Sequence, residues 1–399
     1  MRRPHALAAG LAVAALVIAG CTTTATTSDS AASTSSAVVA TATEQSAETS
    51  TSAETTAASD DSTAGGVDWS ALPTTEVALT DEGLAITAAG TYVLTGSTTG
   101  QVTVNTDGDV RIVLNGATIA SSTGAAIQVD NADLTVLELA DGTANTVSDA
   151  STRSDETIDG AIYSSDDLLI TGGGSLEVTA NFADGIVGKD DLTIESGTIT
   201  VTSVDDGIRG KDSLTVQGGT ITVTAAGDGL KSSNDTDLGK GVLTITGGQI
   251  TITAGDQGLK GEQGITISGG TIDIPSSVEG MEAPVIEIDG GQLSIAASDD
   301  GINAAAGTLI TSGLSVTITG GVLSIVMGSG DTDAIDSNGD LTISGGTLDI
   351  TAQSPFDYDG TGTLTGGTIT VNGQQVTELT NQMMGGMGGQ MGGGPGTGM

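Results

Sequence analysis

A repeat of about 22 residues is the feature that most constrains how this chain can fold. Doublets of two glycines, or once of serine and glycine, return at positions 173–174, 196–197, 218–219, 247–248, 269–270, 290–291, 320–321, 345–346 and 366–367. Most steps are 21–23 residues long, and longer steps carry inserts such as "SSNDTDLGK" at 232–240. A period of this length is typical of a solenoid, in which each repeat contacts mainly its neighbours.

Apolar residues alternate with polar ones inside each repeat. In "DLTIESGTITVTS" (191–203) and "DSLTVQGGTITVTA" (212–225), Leu, Ile and Val occupy one face and Thr the other. This two-residue period is typical of strands, and the segments are too short for a helix of ordinary length. The sequence therefore predicts an all-β fold, a single-stranded parallel β-helix whose coils have three strands and stack about 4.8 Å apart. A β-sandwich is the rival, but sandwiches do not keep one register over so many repeats.

Stacked coils would bring acids into one column and bases into the next. The motif Asp206-Gly-Ile-Arg209 returns as Asp228-Gly-Leu-Lys231. The acid column is predicted to contain Asp184, Asp206, Asp228, Gln257, Glu279, Asp300 and Asp333, and the base column Arg209, Lys231 and Lys260. Two carboxylates at this spacing repel by roughly 1 kcal/mol in water and by about 3–4 kcal/mol at an effective dielectric of 20. The acid column therefore needs cations, either the neighbouring bases or a bound metal.

The two ends of the chain differ from the repeats. Arg2 and Arg3, the apolar run "ALAAGLAVAALVIAG" (6–20) and Cys21 predict a lipoprotein signal peptide over 1–20, with Cys21 lipidated. Residues 21–66, rich in Ser, Thr and Ala, are predicted to be a disordered linker, and 379–399, rich in Gly and Met, a disordered tail. The folded domain is predicted to span 67–378, anchored by lipid to the bacterial cell membrane and facing the cell surface.

Removal of the signal peptide would leave eight basic residues against fifty acidic ones, and no histidine. This charge disfavours nucleic acid and anionic lipid as partners, because their phosphate groups would be repelled. It favours divalent cations. The missing histidine excludes Ser-His and metal-histidine catalysis, and a single cysteine excludes a disulfide within the chain.

The amino-terminal half of the repeat region carries a family resemblance. The segment "GLAITAAGTYVLTGSTTGQVTVNTDGDVRIVLNGATIASSTGAAIQVDNADLTVLELADGTANTVSD" (83–149), followed by the Asp-Gly-Ile repeats, resembles the bacterial carbohydrate-binding β-helix family. That family is known from a clostridial member that binds cellulose and polygalacturonate. The resemblance covers residues 67–378 and implies a right-handed parallel β-helix similar to pectate lyases, bound calcium and no established catalytic activity. The sequence departs from the family pattern at Gln257 and Glu279, where the acid column lacks its aspartate.

Oxygen-rich turns are candidates for calcium, a hard ion that takes six to eight oxygen ligands. The turns "SVDDG" (203–207) and "SDDG" (298–301) hold adjacent carboxylates, and "NDTD" (234–237) resembles the start of an acidic ion loop. The candidate calcium ligands are Asp184, Asp205, Asp206, Asp228, Asp235, Asp237, Asp299 and Asp300. The alternative is that these Asp-Gly pairs form turns and a solvated surface.

The basic residues are unevenly distributed, since six of the eight that follow the signal peptide fall between 189 and 260. On a solenoid they would form one patch, where Lys and Arg would bind the carboxylates of an acidic glycan. The candidate carbohydrate-binding residues are Lys189, Arg209, Lys211, Lys231 and Lys260. The alternative is internal neutralisation of the acid column, and the two are not exclusive.

The predicted function is non-catalytic binding of a polysaccharide, preferably acidic and polygalacturonate-like, with calcium, by a monomeric cell-surface lipoprotein. A calcium-dependent polysaccharide lyase with Arg209 as proton abstractor is one alternative. An adhesin or an ice-binding solenoid is another, because outward threonines at 200, 222 and 251, beside 202, 224 and 253, predict flat hydroxyl ladders. Active sites usually interrupt a repeat, whereas the candidate residues obey it, which favours binding over catalysis.

Overall fold

The computed structural model describes residues 61–328 and 332–381. Every regular element in these ranges is a strand, apart from two short 3-10 helices, η1 (Asp61–Gly66) and η2 (Trp69–Ala71). The all-β prediction is confirmed. No helix in these ranges is long and apolar enough to cross a membrane. The predicted signal peptide, Cys21, residues 21–60 of the predicted linker and residues 382–399 of the predicted tail lie outside the described residues.

The strands are short and follow one another at close intervals. The first eleven are β1 (Thr74–Leu79), β2 (Leu84–Ile86), β3 (Gly90–Thr98), β4 (Val102–Asn105), β5 (Val110–Ala120), β6 (Ile127–Asn131), β7 (Thr135–Leu139), β8 (Ala144–Ser148), β9 (Gly160–Ser164), β10 (Leu168–Gly172) and β11 (Ser175–Thr179). The central repeats contain β12 (Asp184–Gly188), β13 (Asp191–Ile194), β14 (Thr198–Ser203), β15 (Ile208–Gly210), β16 (Ser213–Val216), β17 (Thr220–Ala225), β18 (Leu230–Ser232), β19 (Val242–Ile245), β20 (Gln249–Ala254), β21 (Leu259–Gly261), β22 (Gly264–Ile267), β23 (Thr271–Ser277) and β24 (Met281–Glu282). The last strands are β25 (Val285–Ile288), β26 (Gln292–Ala297), β27 (Ile302–Ala304), β28 (Ser315–Ile318), β29 (Val322–Met327), β30 (Asp333–Ser337), β31 (Asp340–Ile343), β32 (Thr347–Thr351), β33 (Ser354–Tyr358), β34 (Gly362–Leu364), β35 (Thr368–Val371) and β36 (Gln374–Val376).

These strands form two sheets, of 24 and 12 strands. The smaller sheet is a single parallel ladder that takes one strand from each repeat, from β2 through β12, β15, β18 and β21 to β33. In the larger sheet two parallel ladders run side by side, because the long strand β5 pairs with β7 through residues 110–114 and with β8 through residues 118–120. The solenoid-like stacking of parallel strands predicted from the repeat is therefore present, arranged as two sheets.

The repeat length fixes which residues lie next to each other between coils. Thr200 of β14 pairs with Thr222 of β17, which pairs with Thr251 of β20. Buried and exposed residues alternate along these strands. The inward side chains, such as Ile199 and Ile221, are fully buried, and each such residue contributes about 1.5–3 kcal/mol by leaving water. A core of stacked aliphatic columns therefore forms with few aromatic residues.

Two kinds of glycine keep the coils close. Gly207, which follows Asp206, has no room for a side chain, because a Cβ there would lie 2.3 Å from Cγ1 of Val223 and 2.5 Å from the carbonyl oxygen of Gly229. Gly219, the second residue of a doublet, has φ of 87°, which other residues adopt only under strain. The first glycine allows close stacking, and the second allows the turn between two strands.

Residues 61–66, which the sequence places in the linker, form η1 and contact the repeats. The indole Nε1 of Trp69 donates a hydrogen bond to the carbonyl oxygen of Ala64 at 2.8 Å. Trp69 is buried and clusters with Ala64, Val136 and Leu169. This aromatic anchor holds η1 against the outside of the larger sheet.

The carboxyl-terminal end closes with a hairpin. Strand β36 pairs antiparallel with β35, whereas all other strand pairings described are parallel. Asn372 and Gly373 connect the two strands with φ of 50° and 77°, as a two-residue turn requires. Just beyond, the hydroxyl of Tyr358 donates a hydrogen bond to the carbonyl oxygen of Leu379 at 3.3 Å. The first residue of the predicted tail therefore contacts the last coil.

Candidate functional site

The acid and base columns lie at the edge of, and within, the smaller sheet. The motifs at Asp206 and Asp228 directly precede the short strands β15 and β18, whose second residues are the bases Arg209 and Lys231, whereas Asp184 is the first residue of β12. Arg209 of β15 pairs in register with Lys231 of β18, which pairs with Lys260 of β21. Backbone hydrogen bonds connect the acid positions of successive coils in the same way, as from Gly207 to Asp228. The structure therefore brings these predicted residues together.

The first three aspartates of the acid column, Asp184, Asp206 and Asp228, form its upper part. Each of them accepts a hydrogen bond from the backbone of the next coil. Oδ1 of Asp184 accepts a hydrogen bond from the N–H of Asp206 at 3.1 Å, and Oδ1 of Asp206 accepts one from the N–H of Asp228 at 2.9 Å. Oδ1 of Asp228 accepts one from the N–H of Gln257 at 3.0 Å. These three aspartates are buried. One oxygen of each carboxylate therefore serves the fold.

Arg209 and Lys231 contact the second carboxylate oxygen of these aspartates. Nζ of Lys231 lies 2.8 Å from Oδ2 of Asp228, in its own coil, and 2.9 Å from Oδ2 of Asp206, in the previous coil. Arg209 reaches one coil further back: its Nη2 lies 2.6 Å from Oδ2 of Asp184, in the previous coil, and 2.5 Å from Oδ2 of Asp159, two coils back, whereas its Nε is 3.8 Å from Oδ2 of Asp206 in its own coil. Each base thus bridges acids of two coils, which offsets the repulsion between stacked carboxylates.

The pairing keeps these groups charged near neutral pH. Burial alone would lower the pKa of the Arg209 guanidinium, but the carboxylates of Asp184 and Asp159 outweigh burial and raise it. Lys231 behaves alike, since Asp228 and Asp206 raise its pKa against the effect of burial. Burial raises the pKa of Asp184 to about 6, against the pull of Arg209. Both partners of that pair are therefore ionised at pH 7.

The other predicted carbohydrate-binding residues differ in their contacts. Nζ of Lys189 lies 3.4 Å from Asp159, and Nζ of Lys260 lies 2.6 Å from Oε1 of Glu282. Lys211 has no ion pair within the described ranges. Four of the five predicted bases therefore face carboxylates of the chain itself, as internal neutralisation predicts.

The predicted calcium ligands do not form one site. Both oxygens of Asp184, Asp206 and Asp228 are engaged as described, and Asp205, Asp235, Asp237 and Asp299 are exposed. Within the described ranges, no group of three or more acidic, histidine or cysteine side chains converges as metal ligands do. The "NDTD" insert is held by its own hydrogen bonds, because the buried Asn234 donates to Oδ1 of Asp212 at 2.6 Å and its Oδ1 accepts from the N–H of Asp237. Calcium therefore does not fit the acid column between 184 and 228.

The base column contains no further bases after Lys260. The residues that follow Lys260 in register are Glu282 of β24, Asn303 of β27, Asp336 of β30 and Asp357 of β33. Sequence reasoning missed these four, because it followed the base column only as far as bases occupy it. The signal was available: residues 261–399 contain sixteen Asp and Glu residues and no Lys or Arg.

We call the coils that follow Lys260 the lower part of the two columns. The acids of these coils lack the bridging bases found in the upper part. Burial, followed by repulsion from Glu282, raises the pKa of Glu279. Burial raises the pKa of Asp300 to about 6 even though its Oδ1 accepts a hydrogen bond from the N–H of Asp333. Burial and repulsion from Asp300 raise the pKa of Asp336 to about 7. The lower column therefore carries closely spaced carboxyl groups with no internal counter-ion other than Lys260 at its upper end.

A second candidate surface is the outer face of the larger sheet. Strands β14, β17 and β20 present eight exposed threonines in register: Thr198, Thr200, Thr202, Thr220, Thr222, Thr224, Thr251 and Thr253. None of their hydroxyls has a hydrogen-bond partner among the described residues. Gln249 completes this uncharged face, and the predicted threonine ladders are present.

Comparison with known proteins gives three findings. A family model described as carbohydrate-binding domain-containing protein matches residues 80–332. A protein of that description from Acetivibrio thermocellus is 35% identical over 133 residues, which make up 31% of this chain and 46% of the relative, so the match spans less than half of that protein. A solved structure described as the polysaccharide lyase-like protein from C. thermocellum, a gadolinium derivative, is 29% identical, with a TM-score of 0.49, and covers 55% of this chain and 92% of the other.

Proposed function

This chain belongs to the family of carbohydrate-binding domain-containing proteins, and we propose that it binds a polysaccharide without cleaving it. The observation that carries the non-catalytic part is the state of Arg209. A lyase would need this arginine to abstract a proton, but two carboxylates hold it in ion pairs and raise its pKa. A guanidinium so stabilised is a poor base.

The glycan of this proposal is acidic and is bound with calcium. One feature of the upper column supports this proposal. A lysine ammonium group has three hydrogen-bond donors, and Lys231 uses two of them for Asp206 and Asp228, which leaves one for a ligand. Lys189, Lys211 and Lys231 keep part of their side chains exposed and can donate to uronate carboxylates, with Arg209 and Lys260 beside them. The acids of the lower column would repel a polyuronate unless a divalent cation lies between them.

The proposal also includes the organisation of the whole chain. We propose that the two sheets wind as a right-handed, single-stranded β-helix, since each repeat gives one strand to each of the three ladders. We further propose that Cys21 is lipidated, that the domain is monomeric and that it faces the cell surface. The amino-terminal signal pattern of the sequence supports the anchor.

A polygalacturonate pull-down with and without chelator tests this function. We expect retention in calcium, loss in chelator and no unsaturated product in the supernatant. Lys189→Ala with Lys211→Ala should weaken retention, and Lys240→Ala, which loses only its pair with Asp212, is the matched control. Formation of unsaturated product would establish a lyase instead. Retention that neither chelator nor the paired variant changes would remove this surface from the proposal.

A neutral polysaccharide on the threonine face is a second candidate function. The eight unpaired hydroxyls favour it, because a flat hydroxyl array suits a hydroxyl-rich polymer, and the acids Glu177 and Asp273 border the array only at its two ends. The array lacks aromatic side chains for ring stacking. Microcrystalline cellulose is the probe, and retention should be insensitive to chelator. Thermal hysteresis without retention would point to ice binding instead.

A further inference from the structure

A cavity lies on the outside of the larger sheet, where the amino-terminal helical segment ceases to cover it. Val136 and Leu169 occupy successive outward positions of one ladder and are buried against Trp69. The next residue in register is Thr193, which is only half-buried. Beside this step lies a cavity of about 470 Å³, which is within the range of small-ligand sites, roughly 300–1,000 Å³.

One side of this cavity is apolar and belongs partly to the helical segment. Val67, Leu134 and Leu169 line it, together with Gly65. The segment fits closely there, because a Cβ on Gly65 would lie 2.4 Å from Cδ2 of Leu134. Gly65 and Val67 precede residues 80–332, which the family model matches, and so the cavity is not a feature that membership of the family implies.

Acidic residues lie at both ends of this apolar strip. At one end, Asp109 and Asp167 directly precede β5 and β10, and Asp191 is the first residue of β13. At the other end, Glu195 directly follows β13. A strand rises about 3.3 Å per residue, so the Cα atoms of Asp191 and Glu195 are about 13 Å apart. The cavity therefore runs along β13 from one acidic end to the other.

The chain supplies no cation to these acids. No Lys or Arg lines the cavity, and the side chains of Asp109 and Glu195 have no hydrogen bond or ion pair among the described residues. Oδ1 of Asp167 accepts a hydrogen bond from the N–H of Asp191 at 3.2 Å. Burial, followed by repulsion from Asp133, raises the pKa of Asp109. A charged ligand of this cavity must therefore be positive.

The spacing of the acids favours an elongated cation over a metal ion. In the described part of the chain, no three acidic side chains converge as the ligands of one metal ion do. Acids at the two ends of an apolar strip instead suit a ligand with ammonium groups at its ends and methylene groups between them. The ammonium groups would form charge-assisted hydrogen bonds, and the methylene groups would cover Leu134 and Leu169.

We propose that this cavity binds a linear aliphatic polyamine. One ammonium group lies between Asp167 and Asp191, another lies at Glu195, and the chain of the ligand crosses Thr193. An acidic glycan is repelled from these carboxylates, so the cavity is separate from the proposed glycan-binding surface and does not depend on it.

Calorimetric titration of the full chain with spermidine tests the site, at an ionic strength of about 0.15 M, which screens long-range attraction to an acidic protein. Thr193→Trp fills the cavity without changing any charge and should weaken spermidine binding at least tenfold. Thr266→Trp, at the same outward position three coils further along, is the matched control and should bind as the wild type does. An unchanged Tm of both variants shows that they fold. Putrescine, a shorter diamine, should bind more weakly than spermidine.

Charge variants separate this site from general attraction. Glu195→Gln and Asp167→Asn should each weaken spermidine binding about three- to tenfold, whereas Glu177→Gln, which removes an exposed acid from the neighbouring ladder, should leave it unchanged. Equal binding by the wild type and Thr193→Trp would overturn the proposal, as would equal weakening in Glu177→Gln and Glu195→Gln. Tighter binding of a glucosamine dimer than of spermidine would overturn the aliphatic class of the ligand.

Discussion

Oδ1 of Asp206 accepts a hydrogen bond from the backbone N–H of Asp228, one coil further along the chain, at 2.9 Å. The other oxygen of the same carboxylate lies 2.9 Å from Nζ of Lys231. An aspartate that only formed a turn or a solvated surface would not be buried with both oxygens occupied. The recurrence of acid, glycine and base at one step along the sequence is therefore a requirement of stacking.

Replacing Asp206 separates the two contacts of its carboxylate. Asp206→Ala leaves the N–H of Asp228 unpaired and should lower the free energy of unfolding by about 1–3 kcal/mol. Asp206→Asn keeps an acceptor for that N–H and should cost less. Urea unfolding measures both, and the exposed Asp205→Ala should change the free energy by less than about 0.5 kcal/mol. Equal losses in the two Asp206 variants would contradict the backbone contact.

Replacing Arg209 should expose the repulsion between the carboxylates of Asp159 and Asp184. Arg209→Met leaves Asp159 and Asp184 without their shared cation and should cost about 3 kcal/mol, as breaking a buried pair does. Thermal unfolding checks this, with Lys211→Met as the control because Lys211 has no ion pair in the described part of the chain. Adding Asp184→Asn to Arg209→Met should restore part of the loss. Equal stability of Arg209→Met and Lys211→Met would contradict this account of the pair.

A methyl group at Gly207 should separate two coils. Gly207→Ala brings a Cβ to 2.3 Å from a methyl carbon of Val223 and should lower the free energy of unfolding by about 1–3 kcal/mol. Gly328→Ala is the matched control, since the nearest atom to its Cβ would be 3.8 Å away. The comparison uses chemical unfolding of both variants. A neutral effect of Gly207→Ala would mean that the coils move apart at little cost.

Lysines on the threonine face test the second candidate function. Thr222→Lys with Thr251→Lys should reduce retention on microcrystalline cellulose about tenfold, equivalent to about 1.4 kcal/mol, because bulk and charge break the flat array. Thr215→Lys with Thr244→Lys, on the neighbouring ladder, is the matched control. Equal retention by both double variants would remove the threonine face as a binding surface.

The anchor is tested in cells. Cys21→Ser should move the protein from the membrane fraction to the soluble extracytoplasmic fraction, because the lipid would have no attachment point. Immunoblots of the two fractions measure the change. Retention of the variant in the membrane fraction would reject lipidation at Cys21.

The sequence predicted the parts of the fold that depend on period. The alternation in 191–203 predicts strands and which side chains face inward, and the 22-residue step places Thr200 beside Thr222. Thr251 could be placed in the same ladder only from the glycine doublet at 247–248, because the insert at 232–240 lengthens that step. Parallel stacking does the same for Asp184, Asp206 and Asp228. The helical turn at residues 61–66 was not predicted, because it depends on one contact between Trp69 and the outside of the larger sheet.

The sequence predicted the candidate site only in those repeats that keep the same type of residue at the same position. Which oxygen a base reaches depends on side-chain conformation, and so the pairing of Lys231 with two coils could not be derived from spacing. Glu282, Asn303 and Asp336 occupy the positions of the bases but reverse or remove their charge. These residues keep the register of the base column but not its residue type, and so a search of the sequence for Lys and Arg does not find them.

The hairpin formed by β35 and β36 has a consequence for self-association. A ladder of parallel strands ends in an open edge that can template the addition of another chain, and long open edges lead to fibres. Strand β36 runs in the opposite direction and covers the edge of its ladder. The edge that a second molecule meets is therefore an antiparallel strand of three residues, and so short an edge disfavours end-to-end growth along the ladder that carries the threonines.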